Sequence, residues 1–70
     1  QPNPSNGFFS IIVEASNWTY SIVDMNGKLI MNEAVAANNA EVHIEALEAG
    51  IYILQISVEG HSVRKKIVKQ

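Results

Sequence analysis

The chain has 70 residues, 47% apolar and 17% charged, with net charge −2 and no cysteine. That bounds it to one globular domain and excludes disulfides, thiolate chemistry and cysteine-based zinc sites. The acidic balance argues against a general nucleic-acid or anionic-membrane binder, and no apolar run reaches the length of a helical membrane span.

Nine Ile and seven Val stand against three Leu, a β-branched excess that favours sheet over helix. Gln1–Gly7, with two Pro, two Asn, Ser and Gly, reads as a lead-in linker. Phe8–Val13 is the first expected strand, with Phe9, Ile11 and Val13 on one face. Trp18–Val23 is the second, with Trp18, Tyr20 and Ile22 together. Asp24-Met25-Asn26-Gly27 is a turn with two readings. A two-residue Asn-Gly turn puts Ile22 opposite Met31. A type I turn from Asp24, with Gly27 left-handed, puts Ile22 opposite Ile30 and Val23 opposite Leu29. The second matches apolar with apolar on both faces and is the expected register.

Lys28–Asn32 is the third strand, extending as far as Val35. Glu33–Ala40 is rich in Ala, but Asn38-Asn39 would end a helix early, so a strand tail and loop are expected. Glu41–Glu45 alternates, with Val42 and Ile44 inward and Glu41, His43 and Glu45 outward. Leu47 is expected in the core, and Gly50 turns the chain into Ile51–Val58, a central strand with Tyr52, Leu54, Ile56 and Val58 on one face. Glu59-Gly60 then makes a two-residue turn, and Ser62–Lys69 returns antiparallel. That register pairs Ile56 with Val63 and Tyr52 with Ile67, and puts Lys65 on the Val63/Ile67 face. The expected fold is all-β: a small antiparallel two-sheet sandwich, immunoglobulin-like, of six to seven strands over residues 8–70. Its core is drawn from Phe9, Ile11, Tyr20, Ile22, Ile30, Val42, Ile44, Leu47, Tyr52, Leu54 and Ile56.

The residue inventory does not favour an enzyme. His43 and His61 are the only imidazoles; one lies outward on a strand, the other in a turn. No serine occupies a nucleophile elbow. Glu41 and Glu45 stand about 13 Å apart along their strand, too far for a glycosidase pair. No metal or cofactor is expected. Trp18 and Tyr20 would suit sugar stacking if exposed, but so small a core needs every large side chain. Asn17-Trp18-Thr19 fits the short N-glycosylation pattern. Arg64, Lys65, Lys66 and Lys69 hold four of the five positive charges. A lysine-rich edge guards against aggregation, and it also suits strand addition to a receptor.

Four segments together resemble the C-terminal sorting domain of type IX secretion in Bacteroidetes. They are Pro2-Asn3-Pro4-Ser5-Asn6-Gly7 followed by Phe9, then Ile22–Ile30 with Asp24 and Gly27, then Ile44, Leu47 and Ala49-Gly50-Ile51-Tyr52, and last Lys66-Ile67-Val68-Lys69-Gln70. Trp18 and Tyr20 depart from the family's usual aliphatics, and Glu48 from its common proline. The resemblance implies an address label on a larger cargo, with no catalytic role. It implies transit through the periplasm, reading by the type IX outer-membrane machinery, and a final place at the cell surface or outside. It commonly implies removal by a sortase-like peptidase, with the cargo released or joined to lipopolysaccharide. The partners expected are that machinery, the sortase and the cargo domain of the same precursor, with no nucleic acid and no direct membrane insertion. No secretory leader is expected within these residues. The recognition candidates are Lys65, Lys66, Ile67, Val68, Lys69, Gly50 and Tyr52. Pro2, Asn3, Pro4, Gly7, Asp24 and Gly27 are expected to shape the lead-in and turn. The competing expectation is an immunoglobulin- or fibronectin-like module gripping carbohydrate or matrix, which requires Trp18 and Tyr20 to face solvent.

Overall fold

A computed structural model describes residues 7–70; the expected roles of Pro2, Asn3 and Pro4 lie outside the described residues. Six strands follow in order: β1 (Phe8–Ile12), β2 (Trp18–Asp24), β3 (Leu29–Val35), β4 (Asn39–His43), β5 (Gly50–Val58) and β6 (His61–Lys69). They form two antiparallel sheets, one of β1 and β4, the other ordered β3-β2-β5-β6. This is the expected small β-sandwich, with β2 and β5 central and β3 and β6 at the edges of the larger sheet.

Period-two alternation drives the layering. On β2, Trp18, Tyr20 and Ile22 are buried while Thr19 is exposed. On β5, Tyr52 and Leu54 point the same way. These five, with Ile67 of β6, meet Ile11 and Val42 from the smaller sheet, and Ile44 just beyond it, to form the core. Each full burial of such a side chain contributes about 1.5–3 kcal/mol. The core is thinner than the alternation suggested. Phe9, Ile30, Leu47 and Ile56 are only half-buried, because a two-stranded sheet cannot roof a four-stranded one.

The β2–β3 hairpin combines elements of both expected registers. The Gly27 N–H donates to the Asp24 carbonyl (3.0 Å) and the Asp24 N–H to the Lys28 carbonyl (3.0 Å). Gly27 has φ +84°, the left-handed conformation that favours glycine. This is the expected type I turn, and Val23 does face Leu29. However, Ile22 faces Met31, not Ile30, because the register shifts between Ile22 and Val23. A bulge inserts one residue and so returns Met31 to the core side.

Other boundaries move modestly. β4 ends at His43 instead of Glu45: the Ile44 N–H donates to the Gly7 carbonyl (2.8 Å) and the Leu47 N–H to the Ile44 carbonyl (3.1 Å), which starts a turn. β3 runs to Val35, and residues 36–38 form the loop expected in place of a helix. At Glu59-Gly60 both residues have positive φ, +51° and +84°, as a type I′ turn requires. The β5–β6 register is as expected, with Ile56 opposite Val63 and Tyr52 opposite Ile67.

Candidate recognition surface

Three of the segments singled out in the sequence lie far apart along the chain but side by side in the sheet. Asp24 pairs with Tyr52, Tyr52 with Ile67, and Gly50 with Lys69. The Asp24–Gly27 turn, the start of β5 and the end of β6 therefore build one end of the larger sheet. Local bonds fix each part. Asp24 Oδ1 accepts from the backbone N–H of Asn26 and of Lys28, both at 2.9 Å, holding the turn closed. Tyr52 Oη donates to the Glu48 carbonyl at 2.6 Å, and Lys69 Nζ donates to the Leu47 carbonyl at 3.0 Å. These two bonds tie the 44–50 connector against the sheet end.

The candidate residues divide by face. Tyr52 and Ile67 are buried, so both hold the fold together. Gly50 is half-buried beside Lys69 and has φ +158°. Lys69 is half-buried and bonded, so its charge already has a structural task. Lys65 is exposed opposite Leu54, on the core-side face near the rim. Lys66 is exposed opposite Ile53 and Val68 is half-buried opposite Ile51, both on the outward face. Arg64 belongs with Lys66, although motif spacing did not single it out. The alternation that turns Lys66 outward does the same for Arg64, whose Nε donates to Gln55 Oε1 at 3.1 Å.

Among the described residues β6 has β5 on one side only, so its other edge carries unpaired backbone groups. The two-residue turn makes Val58 and His61 a hydrogen-bonded pair, and such pairs alternate along an antiparallel ladder. Ser62, Arg64, Lys66 and Val68 therefore present their main-chain N–H and C=O to that open edge.

A different charge cluster lies on the smaller sheet. His43 is held between Glu41 (Nε2 to Oε1, 3.1 Å) and Glu45 (Nδ1 to Oε2, 3.2 Å), with the Phe8 ring 5.3 Å away. Hydrogen bonds to Glu45 and Glu41 raise the His43 pKa above 6.5. Glu45 is lowered below 4.5, first by a backbone hydrogen bond and then by His43.

Trp18 and Tyr20 do not form a sugar platform. They are 4% and 7% exposed, and Trp18 Nε1 donates to the Ala37 carbonyl at 2.7 Å. Burial and the nearby Glu33 charge push the Tyr20 phenol pKa up. This removes the feature on which the carbohydrate-binding alternative depended.

A family model described as a secretion system C-terminal sorting domain matches residues 1–70, the whole chain. The comparison with curated proteins found no match.

Proposed function

Because the chain belongs to the secretion system C-terminal sorting domain family, the C-terminal sorting signal of type IX secretion, we propose that β6 is the part of the signal its machinery reads. Membership in this family implies linkage to an N-terminal cargo and to that machinery, and transit to the cell surface or outside. The family is a sorting signal and not a known enzyme family.

In the proposed reading, the folded domain arrives in the periplasm behind its cargo, and a receptor of the outer-membrane machinery adds a strand to β6. Main-chain bonds to Ser62, Arg64, Lys66 and Val68 give affinity, while the Arg64, Lys65 and Lys66 side chains set register and select an acidic partner. A sortase-like peptidase then removes the domain, and the cargo is released or joined to lipopolysaccharide. The observation that carries the reading is the concentration of four of five cations on an open edge strand of an otherwise acidic chain, three of them, Arg64, Lys65 and Lys66, exposed. Exposed charges contribute only about 0–1 kcal/mol each to folding, so stability alone does not require them.

The test is charge reversal at Arg64 and Lys66, both exposed and neither bonded into the core. Arg64→Glu with Lys66→Glu should leave the melting temperature nearly unchanged and strand a fused reporter in the periplasm. Normal export of the folded double variant would reduce the basic strand to an aggregation guard.

A further inference from the structure

The larger sheet presents its outward face to solvent, and that face has an uneven composition. The cross-strand row Leu29–Val23–Ile53–Lys66 runs through all four strands, and Ile51 and Val68 pair beside it. Neighbouring strands lie about 4.8 Å apart, so the row spans about 14 Å. Leu29 is 54% exposed and Ile51 39%, and none of the six is buried. An apolar cluster reaching from edge to edge on an open sheet face is more than scattered surface hydrophobics. It also lies at the sheet end built by the three sequence segments described above.

Charge on the same face has one sign. The chain has seven acidic residues against five basic ones. The register nevertheless places Arg64 and Lys66 outward on this sheet and places none of the carboxylates there. Asp24 and Glu33 lie in register with Tyr52 and Tyr20, on the core-side face. Glu41 and Glu45 are on the far side of the sandwich, and Glu14, Glu48 and Glu59 are in connections. Each outward side chain at Arg64 and Lys66 is also attached to backbone facing the open edge of β6.

We propose that this outward face, and not the β6 edge alone, is the docking surface of the sorting signal. Its occupant is a protein whose surface sets apolar residues against Leu29, Val23, Ile53 and Ile51, and carboxylates against Arg64 and Lys66. This rests on the reading of β6 given above and extends it from a strand to a surface. The apolar cluster is the dry centre of the contact, and the two cations form its rim. The cationic rim favours this occupant over a second copy of the chain, because the register places no carboxylate on this face that a second copy could set against Arg64 and Lys66.

The test uses the chain fused to its cargo in a type IX-competent bacterium, with four variants. Leu29→Glu with Ile51→Glu adds two carboxylates to the face and should lower export about tenfold or more. Leu29→Lys with Ile51→Lys removes the same apolar surface but keeps the sign, and should lose less. Ile12→Glu, on the smaller sheet at a position 80% exposed, should export as the parent does. Arg64→Glu with Lys66→Glu probes the strand reading and the cationic rim, without touching the apolar centre. Trp18 fluorescence on each purified chain verifies that it folds. Folded Glu variants exported at the parental level would overturn the proposal, as would equal losses from the Glu and Lys pairs or a loss at Ile12→Glu. A block at Arg64/Lys66 with none at Leu29/Ile51 leaves the strand reading standing and removes the surface. A block at Leu29/Ile51 with none at Arg64/Lys66 removes the strand reading and the acidic partner together. A chain that dimerises in solution through Leu29 and Ile51 would overturn the choice of occupant.

Discussion

Tyr52 offers the sharpest separation of folding from recognition. It is a landmark of the family resemblance, yet it is 7% exposed and its hydroxyl is engaged with the Glu48 carbonyl at 2.6 Å. A side chain so placed acts by packing and by anchoring the 44–50 connector. Tyr52→Phe keeps the ring and removes one hydrogen bond, a loss of about 1 kcal/mol. For a domain of this size that lowers the melting temperature by about 4–8 °C. A single core in a chain of about this size, without disulfides, rarely supplies more than about 3–5 kcal/mol. From a stability of about 3 kcal/mol, about 2 kcal/mol would remain, which keeps about 97% of molecules folded. Export should then be close to normal. Tyr52→Ala removes the ring as well, costs about 3–5 kcal/mol, and should abolish both the cooperative melt and export. Thermal melts followed by Trp18 fluorescence, paired with export of a fused reporter, measure the two effects together. If Tyr52→Phe melts like the parent but leaves cargo in the periplasm, the phenol is itself read by the machinery and the structural account of Tyr52 is wrong.

Further predictions follow from particular contacts. Ile22 is fully buried, so Ile22→Ala should cost about 2–5 kcal/mol and move the midpoint of a denaturant titration sharply downward. Gly27→Ala forces a side chain into φ +84°; chemical denaturation should register a loss of about 1–2 kcal/mol. His43 titrates above 6.5 in the folded state, so its contribution is present below that value and fades as pH rises through the folded pKa. Glu45 is lowered below 4.5, so its contribution is present above 4.5 and fades as pH falls through its folded pKa. The His43–Glu45 contact should therefore be fullest between about pH 4.5 and 6.5, which NMR titration of the His43 ring can check; a His43 pKa at or below 6.5 would contradict the geometry.

Most of the layering was legible because apolar alternation is a direct consequence of strand geometry. Trp18, Tyr20, Ile22, Tyr52 and Leu54 all lie on the face that the pattern assigns them. The β5–β6 register followed from the two-residue turn at Glu59-Gly60. The hairpin after Asp24 was only half legible. The turn chemistry places Val23 opposite Leu29, but the bulge behind it depends on which residue the core accepts, and apolar matching favours Ile22–Ile30 over the Ile22–Met31 pair that forms. Glu45 was placed in β4 because alternation continues past the point where β1 can supply a partner. At the candidate surface, the bond from Lys69 to the Leu47 carbonyl was not legible, because a lysine at a strand end gives no sign of the carbonyl it will reach. The absence of carboxylates from the outward face was hidden for a different reason: it emerges only when the registers of four strands are combined.

The measurement closest to the central claim is export of a secreted reporter with and without residues 1–70 in a type IX-competent bacterium. With the domain, the reporter should cross the outer membrane; without it, the reporter should remain in the periplasm. Equal surface or extracellular signal from the two fusions would contradict the claim that this chain is the sorting signal.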